Sequence, residues 1–442
     1  MILGVRCLRV AFYTLGCKVN HYETEVMAQA FERVGDTVVP FEGEADVFVV
    51  NTCTVTAVSD KKSRQVLRQV KRRCPGATVV AVGCYAQVAQ QELLALPEVD
   101  LILGNTNKPA LPQLLREYQK GRPLPAIADI GALRQFEPME ASTSDRTRAT
   151  IKIQDGCNNF CTYCIIPHAR GRIRSKPPED VLREFRTLLE QGYREVVLTG
   201  IEIASYGGGQ GEEFTLLELL REMGKDAERL PGLRVRLGSL EPRIVTEEFA
   251  RAIGELPFIC PQFHLSLQSG CDTVLRRMNR HYDMARYHLS VELLRRHVPD
   301  VMLTTDIIVA FPGETEEEFQ ETVRTARALR FLKVHVFPYS RRSGTPAADF
   351  EGQHSNGEKA RRAALLAQAC DEVRADILAE QVGKRSSVLL EERRSGLYHG
   401  YTPHYCPVRL AAEPGLTGQI LPVVITGVDG DALTATIDSD RL

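Results

Sequence analysis

Cys157, Cys161 and Cys164 put three thiols within eight residues, in the run Gln154-Asp155-Gly156-Cys157-Asn158-Asn159-Phe160-Cys161-Thr162-Tyr163-Cys164. That spacing suits a cubane iron–sulfur cluster, and three protein ligands on four irons leave one iron open to a small chelating molecule. The alternative chemistry is a zinc knuckle, for which His168 could be the fourth ligand. The strand-like Ala149-Thr150-Ile151-Lys152-Ile153 that feeds the loop is the context of a cluster.

A second set of three is dispersed. Cys17 in Thr14-Leu15-Gly16-Cys17-Lys18-Val19-Asn20, Cys53 in Asn51-Thr52-Cys53-Thr54-Val55-Thr56, and Cys84 in Val82-Gly83-Cys84-Tyr85-Ala86-Gln87 each follow an apolar, β-branched run by a few residues. In an open α/β sheet the carboxyl ends of the strands share one edge, so three such thiols can meet there and hold a second cluster. Taken singly, each would read as a small buried core residue. Cys74 precedes its strand and belongs at the opposite edge, while Cys7, Cys260, Cys271, Cys370 and Cys406 lack a ligand context and read as structural.

The elements that must position these residues are legible in the alternation of the chain. Residues 8–13, 47–50, 78–82 and 101–103 read as buried parallel strands, with helical patterns at 23–33 and 60–73 between them. A Pro-, Ala-, Ser- and Thr-rich stretch, 121–148, reads as a connector. From 150 to 339 strand and helix patterns alternate again, with strands at 151, 195–199, 234–237, 263–267, 302–309 and 334–337. Six such units predict a partial barrel with its chemistry at the carboxyl ends of the strands, and the cysteine loop directly follows the first of them. After a charged helix over 357–381 come short β runs at 387–390, 408–410, 418–424 and 432–437, the texture of a small β-barrel. The predicted fold is therefore α/β, in four segments: a doubly wound domain (6–120), a linker (121–148), a partial (β/α)6 barrel (149–376) and a small terminal β-barrel (377–442).

With 442 residues, 43% hydrophobic and 25% charged, the composition is that of a globular protein of two to four domains. No stretch reaches the length of a membrane span, and twelve cysteines without a secretion signal predict metal sites in a reducing compartment, hence the cytoplasm. A net charge of −2 leaves nucleic-acid binding to local patches. Between 60 and 73 seven basic residues face one Asp, with Lys61, Arg64 and Arg68 opposite the apolar stripe Val66, Leu67, Val70. Arg170, Arg172, Arg174 and Lys176 form another basic run beside the cysteine loop, and both read as phosphate-tracking surfaces.

The Cys157–Cys164 loop, with an aromatic before its last Cys, resembles the radical S-adenosylmethionine superfamily. Gly16-Cys17-Lys18-Val19-Asn20 with Tyr22-Glu23-Thr24, the Cys53 and Cys84 motifs, and Arg170-Gly171-Arg172-Ile173-Arg174-Ser175 make the whole chain resemble the methylthiotransferases. His264-Leu265-Ser266-Leu267-Gln268-Ser269-Gly270-Cys271-Asp272, Met278-Asn279-Arg280 and Gly400-Tyr401-Thr402-Pro403-His404-Tyr405 are similar to the branch that acts on threonylcarbamoyladenosine beside the tRNA anticodon. The terminal barrel resembles a TRAM domain, an RNA-binding module. From 386 to 442, however, it has four basic residues against seven acidic ones, so its RNA contacts would be stacking ones through Tyr398, Tyr401, His404 or Tyr405.

The resemblance implies two 4Fe–4S clusters. The one on Cys157, Cys161 and Cys164 would reduce S-adenosylmethionine to a radical that removes hydrogen from carbon 2 of the adenine. The one on Cys17, Cys53 and Cys84 would hold the incoming sulfur, and a second S-adenosylmethionine would give the methyl group. It also implies that Gly200 and Glu202 contact the methionine amine, Ser239 and Glu241 the cofactor or ribose, and Asp306 and Phe337 the nucleoside end, with Tyr163 shielding the cluster. Partners would be tRNA through its anticodon stem-loop, a flavodoxin- or ferredoxin-like reductant and a sulfur donor. The sister enzymes acting on isopentenyladenosine in tRNA or on a ribosomal-protein aspartate share both clusters. An iron–sulfur electron carrier or RNA-binding scaffold is the reading from another class, but it has no use for a partial barrel with a cofactor pocket.

Overall fold

A computed structural model describes residues 7–119, 121–122, 126–141, 146–208 and 214–441. The domain limits expected at 6, 120 and 442 lie outside these residues, and the one at 376 falls inside the 24-residue helix Asn356–Ala379. Among the described residues no helix is long and apolar enough to cross a membrane.

The first unit is a five-stranded parallel sheet of β1 (Arg9–Thr14), β2 (Thr37–Val39), β3 (Val47–Thr52), β4 (Thr78–Gly83) and β5 (Leu101–Leu103), in the order β2-β1-β3-β4-β5. β3 is buried along its whole length, which is why it reads VFVVNT rather than alternating, as a strand covered on both faces must. Helix α1 (Lys18–Arg33) and helix α2 (Ala57–Arg73) follow β1 and β3. Both begin earlier than the apolar periodicity indicates, because Cys17 and Thr56 take the extended cap conformation and Thr56 accepts a hydrogen bond from the Ser59 amide. Strand β2, Thr37-Val38-Val39, is β-branched throughout but too short to stand out in the sequence.

The second unit begins with β6 (Ala149–Lys152), followed by a short hairpin of β7 (Gln154–Asp155) and β8 (Arg174–Ser175). β9 (Glu195–Thr199) and β10 (Arg234–Leu237) complete a three-stranded sheet with β6. β11 (Ser239–Leu240), β12 (Gln262–Leu265), β13 (Met302–Val309) and β14 (Lys333–Pro338) form a four-stranded one. β10 and β11 are one strand broken at Gly238, where a side chain would come within 2.9 Å of the Leu198 carbonyl oxygen. Its first half pairs with β9 and its second half with β12, so the two sheets make one six-stranded partial (β/α) barrel. The expected connector is not a loose tether: Ile130, Met139 and Ala141 are buried. Tyr22 and Lys176 both donate to the Met139 carbonyl, at 3.0 and 2.8 Å, and Glu184 accepts from the Ala141 amide at 2.9 Å.

The third unit is a closed five-stranded barrel of β15 (Arg385–Arg394), β16 (Leu397–Tyr401), β17 (Pro407–Ala411), β18 (Ile420–Asp429) and β19 (Ala432–Ile437). Its core joins Val388, Leu390, Val408, Leu410, Val423 and Ile425 to Ile377 and Leu378 of the preceding helix. It sits across the amino ends of β9 and β10. Arg234 donates to the Tyr401 carbonyl (3.2 Å) and to Ser387 (2.7 Å), and Arg236 donates to the Pro403 carbonyl (3.0 Å). Three of the four aromatic residues expected to stack on RNA, Tyr398, Tyr401 and Tyr405, are engaged within the protein instead. Tyr398 is 1% exposed in the barrel core, and Tyr401 stacks on Tyr405 at 4.6 Å with Arg148 over both rings.

Candidate active site

Cys17, Cys53 and Cys84 follow β1, β3 and β4, three neighbouring strands, at their carboxyl ends. Gly16, at φ +103°, turns the chain so that a side chain there would lie 2.9 Å from Cys53 Cβ and Sγ. Three polar residues of the same motifs knit the turns together. Asn20 donates to the Leu15 and Thr52 carbonyls (2.7 and 3.1 Å), Asn51 to the Asn20 carbonyl (2.8 Å), and Thr52 to the Val82 carbonyl (2.6 Å). All three are fully buried, so each bond is stronger than it would be in water. Cys74 caps the far end of α2, away from this edge.

The loop 157–173 leaves the β7–β8 hairpin and is held from several sides. The Cys157 amide donates to the Gly171 carbonyl (3.0 Å), the Thr162 amide to the Met278 carbonyl (3.0 Å), and the Ala347 amide to the Thr162 carbonyl (2.8 Å). Gly156, at φ +74°, packs so tightly that a methyl group would overlap the Arg172 carbonyl. Gly156→Ala is therefore expected to unseat the loop and to lower the iron retained after reconstitution by about half, if each triad holds its own cluster; iron content equal to wild type would contradict this. Among the described residues no three His, Cys, Asp or Glu side chains converge as the ligands of a single ion would. A cubane instead puts each thiolate on its own iron, and His168 lies edge-on to Phe160, 6.0 Å between ring centroids.

Between the two triads runs a buried ion network. Arg170 donates to Cys84 Sγ (3.2 Å), Asn20 (2.7 Å), Glu23 (2.6 and 3.0 Å) and Asp155 (3.3 Å). Lys152 bridges Glu23 (2.7 Å) and Asp155 (2.6 Å), and Lys108 pairs with Glu23 and with Asn105 (2.8 Å), whose amide faces Cys84 Sγ at 3.5 Å. Arg174 lies 3.5 Å from Asp155. Four cations thus face two carboxylates, and all six residues are at most 5% exposed. A buried surplus of positive charge is strongly disfavoured unless an anion adjoins it. Cysteine thiolates carrying a cluster beside Arg170 meet that requirement, so the residues fit the group. Burial raises the Glu23 carboxyl, but Arg170, Lys108 and Lys152 outweigh it and hold it well below the usual range. At the other triad burial pushes the Cys164 thiol up to about 12 and Cys157 higher still, and Arg280 donates to Cys161 Sγ at 3.2 Å.

A cavity of about 210 Å³ lies where the loop after Cys53 meets the other cysteine loop, and Cys164 is in its lining. Val55 and Thr56, from the loop after Cys53, form one wall; Tyr163, Cys164 and Ile165 form another; Asp306, Ile308 and Phe337, at the carboxyl ends of β13 and β14, form the third. The first wall is fastened to the barrel by Arg342, which donates to Thr54 and Asp60 at 2.6 Å, and by Ser340, which accepts from the Ala57 amide at 3.0 Å. Tyr163 packs against Phe311 with its ring centroid 6.4 Å away. Glu202 accepts from Cys157 Sγ (3.3 Å) and Asn159 (2.9 Å), so it reaches the cysteine loop. Gly200 gives Gln154 room: its absent side chain would lie 2.9 Å from Gln154 Oε1, which accepts from the Glu202 amide at 2.8 Å. Ser239 bonds Ser266 at 2.8 Å, and Glu241 is chelated by Arg243 at 2.8 and 2.9 Å.

Burial corrects some of the basic-surface expectation. Arg170, Arg174 and Lys176 are 0, 5 and 1% exposed, locked on Glu23, Asp155 and Glu184, and are not presented to a phosphate. Arg172 is exposed, with its guanidinium 4.7 Å from the Phe160 ring centroid. On α2, Lys61 and Arg68 are exposed and Arg64 is half-buried against Tyr85 (2.5 Å). Sequence reasoning missed the role of Glu23, Lys108, Lys152, Asp155 and Arg280; the only sign was the unusual charge inside otherwise apolar runs, such as Lys152 within Ala149–Ile153.

Residues 151–326 match the Radical SAM superfamily, and residues 9–104 match Uncharacterized protein family UPF0004. The chain is 39% identical to the Bacillus subtilis (strain 168) threonylcarbamoyladenosine tRNA methylthiotransferase MtaB, over 94% of this chain and 93% of the relative. It is 38% identical to the MtaB of Thermotoga maritima, over 90% of each. It is 33% identical to the tRNA-2-methylthio-N(6)-dimethylallyladenosine synthase of Pelotomaculum thermopropionicum, over 93% of this chain and 94% of the relative. Among solved structures it shares the fold of TsrM, a radical S-adenosylmethionine methyltransferase from Kitasatospora setae solved with cobalamin and a 4Fe–4S cluster, with a TM-score of 0.58, 17% identity and coverage of 78% and 77%. With cysteine triads at strand ends and relatives of this identity along nearly its whole length, the chain belongs to the radical S-adenosylmethionine tRNA methylthiotransferases.

Proposed function

We propose that the protein methylthiolates carbon 2 of threonylcarbamoyladenosine next to the anticodon of tRNA, with one 4Fe–4S cluster on Cys157, Cys161 and Cys164 and a second on Cys17, Cys53 and Cys84. The observation that carries this reading is the single cavity bordered by Thr56 and Val55 on one side and by Cys164 and Tyr163 on the other. Carbon 2 of adenine bears no leaving group, so neither a nucleophile nor an acid–base pair can install sulfur on it. When bound, the clusters and S-adenosylmethionine supply the one-electron chemistry and the sulfur that this inert C–H bond requires.

The chain's own groups bind and orient. Gln154, Gly200 and Glu202 shape the polar side of the cofactor pocket, with Ser239 and Glu241 toward its ribose. Asp306 and Phe337 border the nucleoside, and Tyr163 with Phe311 keeps water from the cysteine loop. Arg170 and Arg280 offset thiolate charge. Lys61, Arg64, Arg68 and Arg172 remain as the phosphate-facing residues. The division at 6–120, 121–148, 149–376 and 377–442 assigns a separate task to each segment, with the TRAM-like barrel closing the foot of the half-barrel. The setting would be the cytoplasm, with a flavodoxin- or ferredoxin-like reductant and a separate sulfur donor.

Two measurements test the reading. Reconstituted protein is expected to hold about eight irons per chain; about four would leave one cluster. Mass spectrometry of tRNA nucleosides from cells lacking the gene is expected to show loss of the methylthiolated threonylcarbamoyladenosine alone. Loss of the methylthiolated dimethylallyladenosine instead would overturn the substrate assignment.

A further inference from the structure

The inward face of the half-barrel is unusually polar below the cavity. Because side chains alternate along a strand, Asp306 and Ile308 of β13 share that face with His335 and Phe337 of β14, whose backbones pair Asp306 with His335 and Ile308 with Phe337. His335 therefore lies about 7 Å beneath Phe337, two residues deeper. His264 of β12 completes the layer, with Nε2 3.5 Å from Asp306, Nδ1 3.1 Å from Thr304, and its ring centroid 6.1 Å from that of His335. The pair with His264 engages the Asp306 carboxylate. Lys18, at the first turn of α1, is within electrostatic reach of His335 and Tyr405.

Beneath this layer the Tyr405 loop closes the floor. Arg236 lies 4.7 Å from the Tyr405 ring centroid, and Arg148, Arg234 and Arg236 share Glu195 and Glu391, three cations to two carboxylates. Among the described residues neither Lys18 nor His335 has an ion-pair partner. Of the charges around His335, whose own pKa burial lowers, Asp306 raises it and His264, Lys333 and Lys18 lower it further. His335 is thus a basic group on this face that has no ion-pair partner among the described residues.

We propose that His335 forms a carboxylate-binding subsite that receives the ionised threonyl group on the adenine N6 and so selects an acidic nucleoside over one with an apolar N6 substituent. This rests on the substrate reading above. The roughly 7 Å from Phe337 to His335 matches the reach of a threonylcarbamoyl arm extending past a base held at the cavity mouth. A neutral dimethylallyl group would cover His335 without giving it a partner, the kind of mismatch that discriminates strongly.

The test is binding of the full-length protein to an anticodon stem-loop with threonylcarbamoyladenosine, its methyl ester or unmodified adenosine, by fluorescence anisotropy. Wild type is expected to bind the free acid about tenfold more tightly than the ester, as a charge-assisted hydrogen bond implies. His335→Ala should bring that ratio near one with unmodified-RNA affinity unchanged, and His335→Glu should invert it. Unchanged melting temperatures are expected, since His335 is exposed on an edge strand. A wild-type ratio retained in both variants overturns the subsite but leaves the substrate assignment standing. Equal wild-type affinity for all three RNAs overturns both.

Discussion

Cys157→Ala is expected to reduce cleavage of S-adenosylmethionine to the level of a protein-free control, whereas Cys17→Ala is expected to leave cleavage intact and to stop methylthiolated nucleoside from forming. The two losses differ because the thiols belong to different units. Cys157 opens a loop fastened within the half-barrel by the Gly171, Met278 and Ala347 contacts, none of which involves the first sheet. Cys17 sits at the head of α1, where Asn20 and Asn51 organise the turns through bonds within the first unit, and Asn20 meets that loop through Arg170 (2.7 Å). Each substitution should lower the iron content by about four, so both proteins remain loaded at one site. Anaerobic turnover in which Cys17→Ala still yields methylthiolated product would remove the role assigned to the first triad. Abolition of cleavage by Cys17→Ala would mean that the two sites are not independent.

Loss of Glu23 should be the most destabilising single change outside the cysteines. Its carboxylate meets Arg170, Lys108 and Lys152 at once, with no exposure, and no other carboxylate in the network contacts Lys108. Removing one member of a buried ion group typically costs about 3–5 kcal/mol, because its partners stay desolvated and unpaired. Glu23→Ala is therefore expected to lower the melting temperature by roughly 10 °C and to loosen the seam between the first sheet and the half-barrel.

Both network carboxylates are depressed when folded. Burial raises each, but the surrounding cations win: Arg170 foremost at Glu23, Lys152 foremost at Asp155. A depressed pKa contributes stability that is fully present above the unfolded value of about 4.3 and is lost as pH falls through the folded one. The deficit of Glu23→Ala relative to wild type should thus be the same at pH 8 and pH 6 and shrink only below about pH 4. A melting temperature within about 1 °C of wild type at pH 7, or a deficit already shrinking at pH 6, would refute this account.

Most elements were legible from periodicity because their burial is simple. β9, β10, β13 and β19 coincide with the predicted strands, since each is a run of apolar or alternating residues bounded by turn signals. β2 and β16 escaped. The first is three residues long, and the second, LYHGY, places Gly400 where a side chain would strike the Leu389 carbonyl, so its composition reflects close strand packing rather than β propensity. The helix Glu316–Leu329 carries its own start signal, a capping box in which Thr315 and Glu318 bond each other's backbone amides.

The place of the six cysteines after strands, the order of the units and the closing small barrel could be read from sequence alone, because strand-end turns and cysteine spacing are local properties written within about ten residues. Which charges are buried could not be read that way. Arg170 and Arg172 stand two residues apart in one basic run, yet one is locked between Glu23 and Cys84 while the other meets solvent. A side chain's charge is a property of its residue, but its desolvation is set by whatever long-range packing brings against it. Tertiary structure therefore decided that the basic motif beside the cysteine loop supports the thiols, and that the aromatic residues of the terminal barrel floor the half-barrel.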